Sequence, residues 1–300
     1  MTTAGSPAVA TNVGRPILGG RRFSLDWVGV VPFLGYAALF LILPSAIVAL
    51  GAFFDANNAF TLDNFAHLSR SYIVKSTIDT TFVSAVTAVL GAALGALLAY
   101  AIVTGSPTGL LRRMVVSASG VLAQFGGVTL AFAFIASIGP AGFVYLFAQS
   151  HGIDYYGHGI WLFDIPGLNL VYLYFQIPLM VLVFLPALDG IKPQWREATE
   201  SLGGNTWHYW RHVAGPLLFP AFLGGLLLLF ANSFSAYATA NALINQGQPM
   251  LSQQIAGALS SEVGAYEPGF AKAIAVEMIV IVTLVTVLYT LLQQRTARWL

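Results

Sequence analysis

Apolar residues in this chain come in long unbroken runs separated by short polar stretches, not in alternation. From about Val28 to Phe54 there is no charged residue. Comparable runs cover Thr80–Val103, Met114–Ile138, Leu168–Leu188, Leu217–Ala240 and Ala273–Leu292. A bilayer core about 30 Å thick is crossed by about 20 helical residues. The six runs therefore predict six transmembrane helices. After the Gly139-Pro140 break, Ala141–Ala148 is a candidate short extra helix on the outer side.

Composition agrees with this pattern. Hydrophobic residues make up 57% of the chain and charged residues 8%, against about 25% charged in ordinary soluble domains. So few charges cannot wet the surface of a 300-residue soluble protein, whereas lipid can solvate the remainder. The expected fold class is an all-α membrane protein. Net charge is +1, so no bulk field points to nucleic acid. The absence of cysteine excludes disulfides, thiolate metal sites and a cysteine nucleophile.

Residues 1–27 are rich in Gly, Ser, Thr and Ala and lack the apolar core of a secretory signal. They read as a cytoplasmic tail, leaving 28–300 as the six-span domain. Of the 13 lysines and arginines, all but Arg70, Lys75 and Lys272 fall on one side of the predicted spans. Positive residues favour the cytoplasmic side, so both termini are expected there. Pro32, Pro44, Pro178, Pro186 and Pro220 lie inside spans. Kinked helices suit a moving protein, but proline is also simply commoner in membrane helices. Gly91 and Gly95 stand at GxxxG spacing, which lets two backbones approach, within the chain or with a second subunit.

The segment 190–216, between the fourth and fifth runs, reads as two short amphipathic helices. Pro193 suits a first helical turn and Gly203-Gly204 a stop. Ile191, Trp195, Ala198 and Leu202 form an apolar stripe. Asn205 can cap a second helix in which Trp207, Trp210 and Ala214 share a face. Two readings fit: a docking knob for a soluble partner, or interfacial helices with an aromatic belt.

The run Glu197-Ala198-Thr199, then Gly203, then Val213 and Pro216, resembles the EAA loop of type I ABC importer permeases. Spacing matches at each position. Thr199 replaces the second alanine, Val213 an isoleucine and Gly215 a leucine. The resemblance, covering about residues 78–292, implies the six-span type I ABC importer permease fold and a bacterial inner-membrane location. It implies that Glu197 and Ala198 form a coupling helix with Gly203 at its turn and Thr199 as the third motif position; Arg196 and Glu200 are flanking candidates on helical spacing alone. It implies as partners a cytoplasmic ABC ATPase dimer, a second permease subunit (identical or homologous) and an extracytoplasmic solute-binding protein. The chain has no GxxxxGK[ST] phosphate loop. ATP and Mg are therefore expected on the separate ATPase, with no cofactor, metal or catalytic residue on this chain. Leu202 before Gly203, where sugar permeases carry aspartate, is similar to the polyamine, phosphonate, thiamine, iron and sulfate branch. That similarity implies a small charged solute such as a polyamine or aminophosphonate.

Polar groups inside spans are costly and mark candidate pathway residues. Glu277 lines a path, pairs with a neighbour or sits near the outer water. Asn232, Ser233, Ser235, Tyr237, Thr239 and Asn241 line a path or bond helix to helix. Gln124, Thr129 and Gln176 are further candidates. His151, Asp154 and His158 lie in an outer loop and read as solvated, without metal-ligand spacing. The alternative function is an ion-coupled secondary transporter or channel, which usually shows paired intramembrane ionisable groups or repeats. Here Glu277 stands without an obvious mate.

Overall fold

The computed structural model describes residues 26–55, 57–105, 109–157, 159–244, 249–260 and 267–297. The tail expected at 1–27 lies outside the described residues as far as residue 25, as does His158. The chain divides into two units, Met1–Ile47 and Val48–Leu300. In the first, α1 (Asp26–Ala37) runs through a π-helical turn at Ala38–Ile42 into α2 (Leu43–Gly51), whose end belongs to the second unit. Phe33, Leu41 and Ile42 are exposed, an apolar surface suited to lipid.

The second unit continues with α3 (Asp63–Ala66), α4 (Ser71–Thr104), α5 (Leu110–Leu122), α6 (Gly127–Ile138), α7 (Phe143–Ser150) and α8 (Ile165–Asp189). After these come α9 (Pro193–Ser201), α10 (Thr206–Tyr209), α11 (Gly215–Phe234), α12 (Ala238–Leu243), α13 (Leu251–Leu259) and α14 (Pro268–Ala297). Six helical stretches among the described residues are long and apolar enough to cross a membrane.

The core forms where α4, α8 and α11 pack together. Gly91 and Gly95 make this possible. A Cβ on Gly91 would lie 2.9 Å from Cβ of Gln176, and one on Gly95 would lie 2.5 Å from Cβ of Met180 and 2.7 Å from the Ile177 carbonyl. The GxxxG face therefore packs α4 onto α8 within the chain.

A hydroxyl stripe adds polar ties to the same helix. Ser76, Thr80, Ser84 and Thr87 are buried on α4, and each donates to a carbonyl one turn earlier. Gln176 Nε2 on α8 donates to Thr87 Oγ1 at 2.7 Å, and Ser233 Oγ on α11 lies 3.0 Å from the same oxygen. Thr80 Oγ1 accepts from the Leu251 N–H at 2.8 Å, so α4 caps the first turn of α13. Interhelical hydrogen bonds of this kind average about 0.6 kcal/mol in membranes. They set which faces meet more than they add stability.

Two expected spans are broken. Met114–Ile138 is two helices, α5 and α6, separated at Ala123–Gly126. Gly127 has φ 73°, a left-handed conformation that no apolar run reveals. The stretch able to cross is Gly127–Ser150, through the turn at Gly139 to Gly142. Likewise Leu217–Ala240 stops at Phe234 and resumes as α12 after Ser235–Tyr237. A freed carbonyl in a membrane needs a donor. Ala236 O receives the hydroxyls of Ser252 at 3.1 Å and Tyr172 at 3.4 Å. The short helix expected at 141–148 is α7, two residues later.

In the loop expected on the outer side, His151 and Asp154 are exposed, and side-chain hydrogen bonds tie the loop to α6 and α7. Asp154 accepts from Tyr145 Oη and from the Tyr156 N–H, both at 3.0 Å. The hydroxyls of Tyr155 and Tyr156 both donate to Ile138 O, the last carbonyl of α6. Burial pushes the Tyr156 hydroxyl up to about 12, so it remains a donor at physiological pH.

Candidate functional site

Two regions carry the sequence-predicted residues. The first is the 190–216 loop. Helix α9 starts with Pro193 and ends in a Schellman turn. The Gly203 N–H donates to Glu200 O at 3.0 Å and the Gly204 N–H to Thr199 O at 2.9 Å. Gly203 takes φ +80°, and a Cβ on Gly204 would stand 2.7 Å from Thr199 Cγ2. Both glycines are thus needed, one for its backbone angle and one for its lack of bulk. Asn205 then caps α10, its Oδ1 accepting from the His208 N–H at 3.0 Å.

The inward stripe differs from the expected one. Ile191, Trp195 and Thr199 are half-buried, while Ala198 is exposed and Leu202 is 89% exposed. Thr199 can face inward because its hydroxyl is satisfied within α9, donating to Trp195 O at 2.8 Å. In the second helix a π-helical turn at Trp210–Ala214 shifts the register. Tyr209 and Ala214 are buried, Trp210 is half-buried, and Trp207 is 65% exposed. Tyr209, not Trp207, is the inward anchor. The outward surface carries Glu197, Ala198, Leu202 and Trp207, beside an exposed Arg196–Glu200 ion pair at 3.0 Å. At the loop's root Arg112 Nη2 meets Asp189 Oδ2 at 2.6 Å, holding α5 to the end of α8.

Gly203→Ala is expected to cost about 1 kcal/mol locally, because a side chain must enter the left-handed region. Amide hydrogen exchange over residues 193–204 should quicken about fivefold, with α4 and α8 unaffected. Unchanged exchange would show that the turn does not depend on this glycine.

The second region is a cleft of about 400 Å³ at the two helix breaks. Gln124, Phe175, Asn232, Ser235, Tyr237 and Thr239 contribute to its wall, together with the backbone of Gly126 and Gly127. Thr239 Oγ1 bridges the breaks: it accepts from the Gly127 N–H at 2.9 Å and donates to Gly127 O at 3.2 Å. Among the described residues, no charged one lines the cleft.

Ser233 points the other way, into the core against Thr87. Gln176 is fully buried in the same node, with Oε1 unpartnered. Glu277 is not part of the cleft wall. Its Oε1 accepts from Thr77 Oγ1 at 2.8 Å and its Oε2 is buried without a partner. Thr87, at the centre of the node, is what sequence reading missed, while Thr239 makes the helix-to-helix bond that was one of its two readings. Hydroxyls repeating every three or four residues along an apolar span were the available signal.

Solved structures with this fold include a bacterial ABC transporter importing the acidic polysaccharide alginate. It superposes with a TM-score of 0.72 at 17% identity, covering 90% of this chain and 95% of that chain. The inward-facing MetNI methionine ABC transporter gives 0.54 at 16% identity, covering 79% and 99%. Among curated proteins, the probable starch degradation products permease of Thermoanaerobacterium thermosulfurigenes is 27% identical over 43% of this chain and 44% of its own length. The thiamine permease of Escherichia coli is 27% identical over 37% of this chain and 20% of its own length, and the sulfate permease of the same organism 30% over 28% and 32%. The chain thus spans less than half the length of each of these curated relatives. Residues 128–298, more than half the chain, match the model of the binding-protein-dependent transport system inner membrane component, and the chain belongs to that family.

Proposed function

We propose that this chain is the permease subunit of an ATP-driven importer in a bacterial inner membrane, moving a small solute delivered by an extracytoplasmic binding protein. The observation that carries this reading is the outward surface of the 190–216 loop. Leu202 and Trp207 stand in the open on a segment whose turns are closed by backbone and side-chain hydrogen bonds. A rigid, apolar-tipped knob needs a protein surface to cover it. The occupant proposed is a cytoplasmic ABC ATPase dimer, which binds the ATP and Mg. A second permease subunit supplies the other half of the gate. Both termini lie in the cytoplasm in this arrangement, following the charge bias of the loops.

The cleft at the helix breaks is proposed as part of the solute path, with Asn232, Ser235 and Tyr237 offering amide and hydroxyl groups. Of the two solute classes suggested by the sequence, this lining supports an aminophosphonate over a polyamine. It provides donors for oxyanions and no carboxylate to neutralise a polycation. The sulfate-named relative accords with an oxyanion solute.

Reconstitution tests the reading. Vesicles holding the chain, its ATPase, the second permease and the binding protein should take up solute only with ATP, and the chain alone should hydrolyse none. Uptake driven by a proton gradient without ATP would favour the ion-coupled alternative. Asn232→Leu removes one hydrogen-bonding group from the cleft wall. Loss of a bond worth about 1 kcal/mol should cut uptake at low solute about fivefold, with the ATP hydrolysed in the absence of solute unchanged. Unaltered uptake would remove Asn232 from the path.

A further inference from the structure

The inward side of the 190–216 loop borders two adjacent cavities that share part of their wall. The larger, about 550 Å³, opens between α4, α8 and the start of α11, with Ala93, Ala96, Leu97, Phe184 and Phe222 in its wall. No charged residue lines it, and Leu97 at its edge is exposed. The smaller, about 170 Å³, shares Tyr100, Leu188, Trp210 and Leu218 with the first and extends to Thr104 and Arg196. Polarity therefore rises from the almost wholly apolar larger cavity to the smaller one, which reaches a guanidinium at the loop.

We propose that this groove binds an anionic phospholipid, with an acyl chain in the larger cavity and the phosphodiester head at Arg196. Three observations select that occupant. An apolar wall offers a polar solute no partner, so the groove is not a second solute path. Tyr100 and Trp210 meet edge to face at 5.3 Å in the wall the cavities share, and such rings settle at headgroup depth. Among the described residues Arg196 is ion-paired only with Glu200, more than half exposed on both sides. Such a pair is worth little and is readily exchanged for a phosphate. The site lies directly beneath the proposed ATPase knob, so a bound lipid braces α9 and the start of α11 together. The inference requires the chain to lie in a bilayer and is independent of which solute crosses.

The test uses the assembled complex in vesicles of phosphatidylcholine with a minor fraction of phosphatidylglycerol. Either lipid carries a photoactivatable diazirine in its acyl chain. The phosphatidylglycerol probe should label the peptides holding Leu97 and Phe222 about fivefold more than the phosphatidylcholine probe, the preference one basic residue gives near an anionic surface. Exposed Leu284 and Leu288 of α14 should show no head preference. Ala96→Trp, which fills the groove, should abolish its labelling while α14 stays labelled. Arg196→Gln should abolish only the head preference. Equal labelling by the two probes in the unaltered protein overturns the proposal, without need of any variant. So does disulfide linkage between two copies carrying Leu97→Cys in this otherwise cysteine-free chain, because a second subunit then fills the groove.

Discussion

Glu197→Lys is expected to reduce ATP-driven uptake about a hundredfold while the subunit still inserts and folds. Glu197 is exposed on α9, and its carboxylate makes no hydrogen bond or ion pair among the described residues. The chain itself therefore has little to lose when the charge is reversed. Loss must come from a partner. A like-charge clash at an interface costs about 3 kcal/mol, which corresponds to about a hundredfold. Co-purification of the ATPase and solute-stimulated hydrolysis should fall together, with the thermal midpoint of the subunit alone unchanged. Intact assembly and uptake would remove the docking role from this helix and leave the 190–216 segment as an interfacial pair.

The largest effect on the fold is expected from Gly95→Leu. Alanine alone would already bring a Cβ to 2.5 Å from Met180 and 2.7 Å from a backbone carbonyl, so α4 and α8 must separate. Overpacking a close helix contact costs about 3 kcal/mol, and separation also breaks the short Gln176–Thr87 bond one turn away. The variant should accumulate poorly in membranes and lose its thermal transition. Gly120→Leu is the matched control, because a Cβ there meets nothing within 4 Å. Similar accumulation of both variants would show that the α4–α8 approach does not limit folding.

The sequence was readable where hydropathy and length decide the structure. The runs at 80–103 and 168–188 are the interiors of α4 and α8; the second lies within three residues of both ends, while α4 begins two turns earlier, at Ser71. Capping chemistry was equally legible, since Pro193, Gly203-Gly204 and Asn205 do what their backbone preferences require. Two kinds of feature were not. The break at Gly126-Gly127 leaves the apolar pattern intact, because a left-handed glycine costs hydropathy nothing, and the one at Ser235–Tyr237 showed only as polar residues without a stop signal. Side-chain facing was also misjudged at single positions. Thr199 turned inward because it bonds its own helix, and Trp207 turned outward because a π-helical turn follows it. The candidate path was legible as a polar cluster. That Ser233 leaves it for the core, and that Gln124 and Phe175 join Asn232 in its wall, depends on helix packing that no local pattern encodes.

The exposure of Leu202 has a bearing on how the cell handles this protein. A leucine 89% open to water, with a tryptophan 65% open nearby, would mark a copy that lacks its proposed partner. Quality-control proteases and chaperones recognise such surfaces. Copies synthesised in excess of the ATPase should therefore be short-lived, and those that assemble should persist. Subunit ratio would then be set by turnover as well as by synthesis, with one residue at the end of a nine-residue helix serving as the assembly mark.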